Sequence, residues 1–376
     1  MIIGILKEKE GENRVSALPE IVAGLIKLKV KVWIESGAGF RAFEKDENYV
    51  LSGAVIKAHD EILSHADIIL TIHAPSHDEV AKMKSGTVLL GVFQPLNNIP
   101  LMNDWAEKHI STLSLDMLPR NTRAQSMDIL SSQASIAGYK AVILAADSYP
   151  KYLPMMMTAA GTITPAKVLI LGAGVAGLQA IATAKRLGAV VEVFDTRPAV
   201  KEEVMSLGAK FVEVEGAADA SKAGGYGVEQ TEEYKQKQKQ KIHDSIVKAD
   251  IVITTAQIPG KRAPILIPRE MVEGMRAGSI IIDIASATGG NCELTRNNET
   301  VIYNGVTIIG NSNLPSNMPN DASKLYGKNL LNFIKLIINE EGKLNLNFED
   351  ELIKGCCITH NGKVVNERVK ELAPQN

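Results

Sequence analysis

The chain has 376 residues, of which 45% are apolar and 22% charged, with a formal net charge of −2. That length exceeds one ordinary core and suits two globular domains. The near-neutral balance excludes the electrostatic footprint of a nucleic-acid binder and a polybasic segment for an anionic membrane surface. The three cysteines, Cys292, Cys356 and Cys357, are too few for a disulfide framework and fit a reducing cytosol. The adjacent pair reads as buried structural thiols. The histidines form no His-Glu-x-x-His motif and no cluster with cysteine, so no metal is expected.

The opening residues form a short apolar run followed at once by charges, which predicts a first strand rather than a signal peptide. Up to about residue 128, strands are predicted at 2–6, 30–35, 68–73 and 88–93. Helical patterning lies between them at 19–28, 46–51 and 60–64. Apolar strands separated by helices imply a parallel sheet covered on both faces. A long helix at 129–147 leads into a second βαβ series, with strands at 167–171, 190–194, 251–254, 279–284 and 306–309. The most apolar stretch, 168–184, is interrupted by Gly172, Gly174 and Gly177. It reads as a buried strand, turn and helix rather than a membrane span, which needs about 20 apolar residues. On this reading the chain is soluble on its own. Residues 215–242 stand apart, with Tyr226 among glycines and then a lysine–glutamine run from Lys235 to Lys241. That run is a solvated helix face or a mobile loop. A strong helix at 322–338 closes the chain, with a short strand-and-loop end. The expected class is α/β, with two Rossmann-like domains of parallel strands joined by long helices. One domain would comprise 1–128 with 320–376, the other 129–319.

The sharpest local signal is the strand Lys167-Val-Leu-Ile-Leu running into Gly172-Ala-Gly174-Val175-Ala176-Gly177 and then a helix. In a dinucleotide-binding turn the first glycine permits the tight bend. The second lets a pyrophosphate approach the backbone, and the third lets helix and strand pack closely. The helix N-terminus offers unpaired N–H groups and a favourable dipole to the phosphates. Asp195 ends the next strand, where a carboxylate accepts from ribose hydroxyls and repels a 2′-phosphate. NAD(H) is therefore favoured over NADP(H). Thr196 and Arg197 follow it, and an arginine there is able to receive a phosphate, which works against that preference. Thr254-Thr255-Ala256 and Pro259-Gly260-Lys261 follow another strand at its carboxyl edge, where open α/β sheets bind ligands. Thr255 and Ala256 are expected to line the adenosine pocket.

Three longer runs carry a family resemblance. They are Pro119-Arg120-Asn-Thr-Arg123-Ala-Gln125-Ser126-Met127-Asp128-Ile-Leu-Ser131-Ser132-Gln133, Pro154-Met-Met-Met-Thr-Ala-Ala-Gly161-Thr, and Gly177-Leu-Gln-Ala-Ile-Ala-Thr-Ala-Lys-Arg-Leu-Gly188-Ala. The chain resembles the NAD(H)-binding component of proton-translocating transhydrogenase. The likeness extends from Lys7-Glu8 with Arg14 to Asp321-Ala-Ser and Lys328-Asn-Leu-Leu-Asn332. With no membrane spans, it is similar to the split form, in which the membrane and NADP(H)-binding parts are separate polypeptides. The resemblance implies hydride transfer between NADH and NADP⁺ held on a partner subunit, coupled to proton translocation. It also implies a homodimer, cytoplasmic and peripheral at the inner membrane through its partner subunits.

The resemblance assigns roles as well. Arg120 would pair with the pyrophosphate or the carboxamide, and Gln125 would contact the nicotinamide side and the incoming nucleotide. Asp128 and Ser131 would hydrogen-bond the carboxamide; an amide needs a donor and an acceptor, and these side chains supply both. Asp128 also suits the N-cap of the helix that follows, and the two jobs are compatible. Tyr226 would lie in a loop closing on the nucleotide; its plainer reading is an exposed loop aromatic.

The same superfamily contains alanine dehydrogenase, whose acid–base equipment is missing here. Arg14 matches its substrate arginine. The lysine position falls on His73, the catalytic histidine position near Val92, and the aspartate position near Ala287. Amine oxidation needs tuned proton transfer. Hydride passage between two nicotinamide rings needs only close, dry alignment. An NAD-dependent alanine dehydrogenase remains the alternative enzyme. A non-catalytic NAD-binding module is the third reading.

Overall fold

The computed structural model describes residues 1–214, 216, 231–258 and 260–372. The expectations for Tyr226 and Pro259 lie outside those residues. The chain divides into two compact units, Met1–Gln133 with Pro315–Asn376, and Ala134–Leu314.

The first unit is built on an eight-stranded sheet. From one edge its order is Lys363–Val364, Cys357–His360, Ser111–Ser114, Val88–Gly91, Ile68–Leu70, Ile2–Ile5, Lys31–Glu35 and Val55–Lys57. The six strands from the N-terminal part run parallel, and Cys357–His360 pairs antiparallel with both Ser111–Ser114 and Lys363–Val364. Parallel strands need a returning helix, and that helix covers both faces, so the strands read as unbroken apolar runs. Ile68, Ile69 and Leu70 are all fully buried. The tail helix Pro319–Ile337 begins with proline at its first position, where a missing N–H costs nothing. It buries Tyr326, Leu330, Phe333, Ile334 and Ile337 in the same core as Ile3, Ile5 and Leu70. That three-and-four spacing is one helical face. Each large side chain contributes roughly 1.5–3 kcal/mol before chain entropy is subtracted.

The second unit has a seven-stranded sheet in the order Lys210–Phe211, Val190–Phe194, Lys167–Leu171, Ile251–Thr254, Ile280–Asp283, Val306–Gly310 and Glu299–Tyr303. All pairs are parallel except the last, which is antiparallel. Asn304 and Gly305 join that last pair with φ of 49° and 76°, the two left-handed residues of a tight hairpin turn. The central strand Lys167–Leu171 connects to one side through the helix Val175–Arg186 and to the other through later chain. Its carboxyl end is therefore the switch point at which open α/β sheets bind ligands.

Both units are α/β with mainly parallel sheets, as the alternating pattern predicts. Several strands go beyond that pattern, among them Ser111–Ser114 and a small exposed hairpin, Met156–Thr158 with Gly161–Ile163. The lysine–glutamine run forms the helix Glu232–Ile246, which buries Tyr234, Gln238, Ile242 and Ile246 at every fourth position. Its lysines point outward, so it is the solvated helix face. The helix Ile129–Ser148 is long and apolar enough to cross a membrane, with mean hydropathy 1.3 over its best window. Here, however, Ala137, Ala141, Val142 and Ala145 pack into the core of the second unit.

Candidate functional site

In the second unit, the glycine-rich turn has the geometry that the sequence predicts. Gly172 adopts φ +106°, and a Cβ there would stand 2.4 Å from Thr255 Oγ1. A Cβ on Gly177 would fall 1.9 Å from the Gly172 carbonyl oxygen, so the helix reaches this distance from the strand only with glycine. Gly174 is different: a Cβ there would meet nothing within 4 Å. Gly174 caps the helix Val175–Arg186 without a side chain, and Val175 is exposed. A helix start leaves backbone N–H groups without intrahelical partners, and beside Gly174 this one has open space in front of it. A helix start of this kind can receive a phosphate group on its N–H groups and dipole.

Asp195 locks the turn. Its Oδ2 accepts from Ala173 N–H at 2.7 Å, and its Oδ1 accepts from Arg197 N–H at 2.8 Å. The Arg197 guanidinium closes on the same carboxylate, Nε to Oδ1 at 2.9 Å and Nη2 to Oδ2 at 2.8 Å. Asp195 and Arg197 are thus one ion pair anchored to the glycine turn, not two separate surface charges. Thr196 lies half-buried between them. On the neighbouring strand end, Thr255 Oγ1 donates to Gly172 O at 3.1 Å. Asn291 brackets Ala256, accepting from its N–H at 3.0 Å and donating to its carbonyl at 2.9 Å. Asp283 Oδ2 accepts from the backbone N–H groups of Asn291 and Cys292 and from the Thr295 hydroxyl. That acid is committed to holding the Asn291 loop.

In the first unit, residues 120–131 form a braced platform. Thr122–Met127 is a short 3₁₀ turn capped by the Asn121 side chain, which accepts from Ala124 N–H at 3.0 Å. Ala124 and Met127 point down into the core, while Arg120, Arg123, Gln125 and Ser126 are exposed. Arg123 pairs with Asp350 at 2.7 Å, and Asn121 donates to Glu351 at 2.7 Å. Asp128 Oδ1 accepts from Ser131 N–H at 2.9 Å, and Ser131 Oγ donates to Asp128 Oδ2 at 2.6 Å. The capping role is therefore realised, and it joins Asp128 and Ser131 in one polar pair at the start of the helix Ile129–Ser148. The structure brings Arg120, Gln125, Asp128 and Ser131 onto one short segment.

Between Arg14 and His73 stands an acid that no motif singles out. Glu12 takes two of the three guanidinium nitrogens of Arg14, Nε to Oε1 at 2.8 Å and Nη2 to Oε2 at 2.6 Å, and His73 Nε2 lies 2.8 Å from Oε2. The third arm, Nη1, donates to Gln133 at 2.8 Å. Burial opposes ionisation of Glu12, but the hydrogen bonds from Arg14 and His73 outweigh it and hold the carboxyl well below its ordinary range. Glu8 accepts from Ile72 N–H at 2.6 Å and from the Thr71 hydroxyl, and its deep burial raises its pKa. Val92 packs against the core, and Ala287 is exposed on a short turn. The thiols are buried: burial pushes Cys292 up to about 11 and Cys357 to about 12.

Two family models together cover nearly the whole chain. The alanine dehydrogenase/PNT N-terminal domain matches residues 4–137, and the C-terminal domain matches residues 141–367. The chain belongs to the alanine dehydrogenase/PNT family. Within this family it is 46% identical over 376 residues to the first of the polypeptides that make up NAD(P) transhydrogenase subunit alpha in Rhodospirillum rubrum, covering 97% of this chain and 98% of that protein. The crystal structure of transhydrogenase from Sinorhizobium meliloti superposes with a TM-score of 0.89 at 44% identity, covering 97% of this chain and 100% of that one. Alanine dehydrogenase of Methanococcus maripaludis is more distant, at 28% identity over 98% of this chain and 95% of that protein.

Against the family background, several polar residues were not legible as parts of the site. Asn291, Asn329 and Asn332 act through contacts distant in sequence, and Glu12 joins its near neighbour Arg14 to the distant His73. Gln133 and the Asn329–Asn332 pair stand inside runs that carry the resemblance, but nothing in their spacing names a partner.

Proposed function

We propose that this chain is the NAD(H)-binding subunit of a proton-translocating transhydrogenase. The reading rests above all on the end-to-end likeness to the Rhodospirillum rubrum subunit. In the reaction, the hydride on C4 of NADH passes to C4 of the NADP⁺ nicotinamide, leaving NAD⁺ and NADPH. NADP(H) would sit on a separate partner subunit, and a membrane subunit would couple the transfer to proton movement. That partnership would hold this chain, as a homodimer, at the cytoplasmic face of the membrane.

The chain's own work is then binding and orientation. Gly172, Gly174, Val175, Ala176 and Gly177 would receive the pyrophosphate on the helix N-terminus. Asp195 with Thr196 would meet the adenosine ribose; Ala173 and Arg197 now fill the acceptor sites of Asp195, so the Arg197 guanidinium would turn aside for Asp195 to accept from a ribose hydroxyl, and Thr255 and Ala256 would border the adenosine. Arg120, Gln125, Asp128 and Ser131 would address the nicotinamide end. Asp128 as acceptor and Ser131 as donor complement a carboxamide. None of these groups needs to move a proton.

The amino-acid dehydrogenase reading is the weaker one. Its substrate arginine, Arg14, has all three nitrogens engaged by Glu12 and Gln133. Hydrocarbon occupies the positions where an acid and a base would be wanted. The test is reconstitution. The chain is mixed with the soluble NADP(H)-binding domain of a candidate partner, NADPH and the acetylpyridine analogue of NAD⁺, and analogue reduction is followed by absorbance. Rapid reduction that needs both proteins is the expected result. NADH binding without any transfer would overturn it, and turnover of pyruvate, ammonium and NADH would establish the dehydrogenase.

A further inference from the structure

The tail helix Pro319–Ile337 touches the exposed platform from below. Asn329 Nδ2 and Asn332 Nδ2 both donate to the Ser126 carbonyl, at 2.9 Å and 3.1 Å. Three residues apart on a helix, the two amides share a face. A carbonyl oxygen has two lone pairs, and these donors occupy both. The end of a 3₁₀ turn leaves carbonyls without intrahelical partners, so the pair fills a need that the turn itself creates. Asn329 is buried, and its other arm, Oδ1, accepts from Ser132 Oγ at 2.7 Å. One side chain thereby ties the segment before Asp128 to the helix after it. Ser126 sits between Gln125 and the Asp128–Ser131 pair, so fixing its carbonyl fixes the direction of both.

We propose that Asn329 and Asn332 are positioning residues for transhydrogenation: by holding the Ser126 carbonyl they set the pose in which Gln125 and Asp128 meet the nicotinamide. The proposal rests on the functional reading above. The other ties on the platform, Arg123 to Asp350 and Asn121 to Glu351, are exposed at the surface, and such contacts hold geometry weakly. Asn329, which is buried, is the inner hold, and Asn332 reinforces it from a more exposed position. A misplacement of about 1 Å in a reacting pair costs as much as a hundredfold in rate, so the pair's effect belongs in turnover more than in affinity.

The test compares Asn332→Asp, which keeps the shape but turns the donor into an acceptor, with Asn332→Gln, which keeps the donor. Asn329→Asp serves as a second probe. Three quantities are measured: turnover with the NADP(H)-binding domain, NADH affinity by fluorescence, and the trypsin map without nucleotide. In Asn332→Asp, turnover is expected to fall about tenfold while the NADH dissociation constant moves less than about threefold. Cleavage after Arg120 and Arg123 should rise about tenfold with the rest of the map unchanged, since local opening exposes the site. Asn332→Gln should return both readouts to within about threefold of the parent chain. Unchanged turnover and unchanged cleavage in both aspartate variants would overturn the proposal. So would cleavage that rises throughout the chain together with a drop in melting temperature, which marks a general loss of structure. If the parent chain itself transfers no hydride, the functional reading fails; the platform cleavage then still reports whether the asparagines hold the turn.

Discussion

Replacing Gly174 with alanine separates the two jobs of a glycine-rich turn. Gly174 has φ −77° and ψ −170°, an extended conformation open to any residue. An added Cβ would have no heavy atom within 4 Å, so neither strain nor overlap opposes the change. The remaining folding cost is the weaker capping preference of alanine, about 0.5–1 kcal/mol. Binding should respond differently. A methyl group in front of the helix N-terminus displaces a pyrophosphate from the backbone N–H groups, and each hydrogen bond to a charged group is worth about 1.5–3 kcal/mol. Losing one or weakening two lowers NADH affinity by about 2–3 kcal/mol, roughly 30- to 150-fold. Gly177→Ala is the contrasting control. Its Cβ would lie 1.9 Å from a backbone oxygen, so helix and strand must part, at a cost of about 3 kcal/mol or more in stability. Urea unfolding and fluorescence titration with NADH on both variants give the answer. If Gly174→Ala binds NADH as tightly as the parent chain, or loses affinity only in step with stability, the pyrophosphate does not sit at this turn and the reasoning fails.

Three further perturbations follow from the same geometry. Glu12→Gln should destabilise the protein at pH 7 by about 3–5 kcal/mol, because it leaves the buried Arg14 poorly compensated. The folded pKa of Glu12 lies below its ordinary 4.5, so its contribution is full above that value and is lost as pH falls towards the folded one. The gap between parent and variant in urea unfolding should shrink by about 2 kcal/mol between pH 7 and pH 3, and a constant gap would show that Glu12 is not held ionised. Ser131→Ala removes the 2.6 Å bond to Asp128 and should lower transhydrogenation about tenfold with little change in melting temperature, since one positioning bond is lost. Equal turnover would remove the pair from the site. Ile242→Ala should lower stability by about 2–4 kcal/mol, because Ile242 is 2% exposed. Lys237→Ala, on the outer face of the same helix, should leave the urea midpoint where it was.

The parallel strands were legible because each is a short apolar run followed by a helix, and burial on both faces demands that composition. Ser111–Ser114 was not legible, since its residues are Ser-Thr-Leu-Ser. Two of its polar side chains, Ser111 and Thr112, are satisfied far along the chain. Thr112 N–H donates to Thr359 Oγ1, that hydroxyl lies 2.8 Å from Thr112 Oγ1, and Ser111 Oγ lies 3.0 Å from His360 Nδ1. No local pattern encodes a partner 247 residues away. Glu299–Tyr303 is a different case. Asn304-Gly305 is a strong hairpin signal, but the preceding run is a half-exposed edge strand without the apolar continuity used to find the others. For the candidate site, the glycine turn was legible because backbone sterics constrain adjacent residues. The bracing by Glu12, Asn291, Asn329 and Asn332 was not, because side chains that hold a loop from another element leave no spacing rule behind.

The first unit takes part of its core and sheet from the end of the chain: the tail helix, Cys357–His360, Lys363–Val364 and the short helices Glu351–Cys356 and Glu367–Leu372. The second unit is encoded without interruption between them. On the ribosome this sets an order of assembly. Residues 134–314 can fold as soon as they emerge, while the opening 133 residues wait with one sheet edge and a large apolar face uncovered. A nascent chain is then exposed to aggregation and to chaperones through its oldest segment. A chain released before Asn329 carries the whole glycine turn but neither asparagine under Ser126, so premature termination should yield a fragment that retains the glycine-rich turn yet lacks the ordered platform.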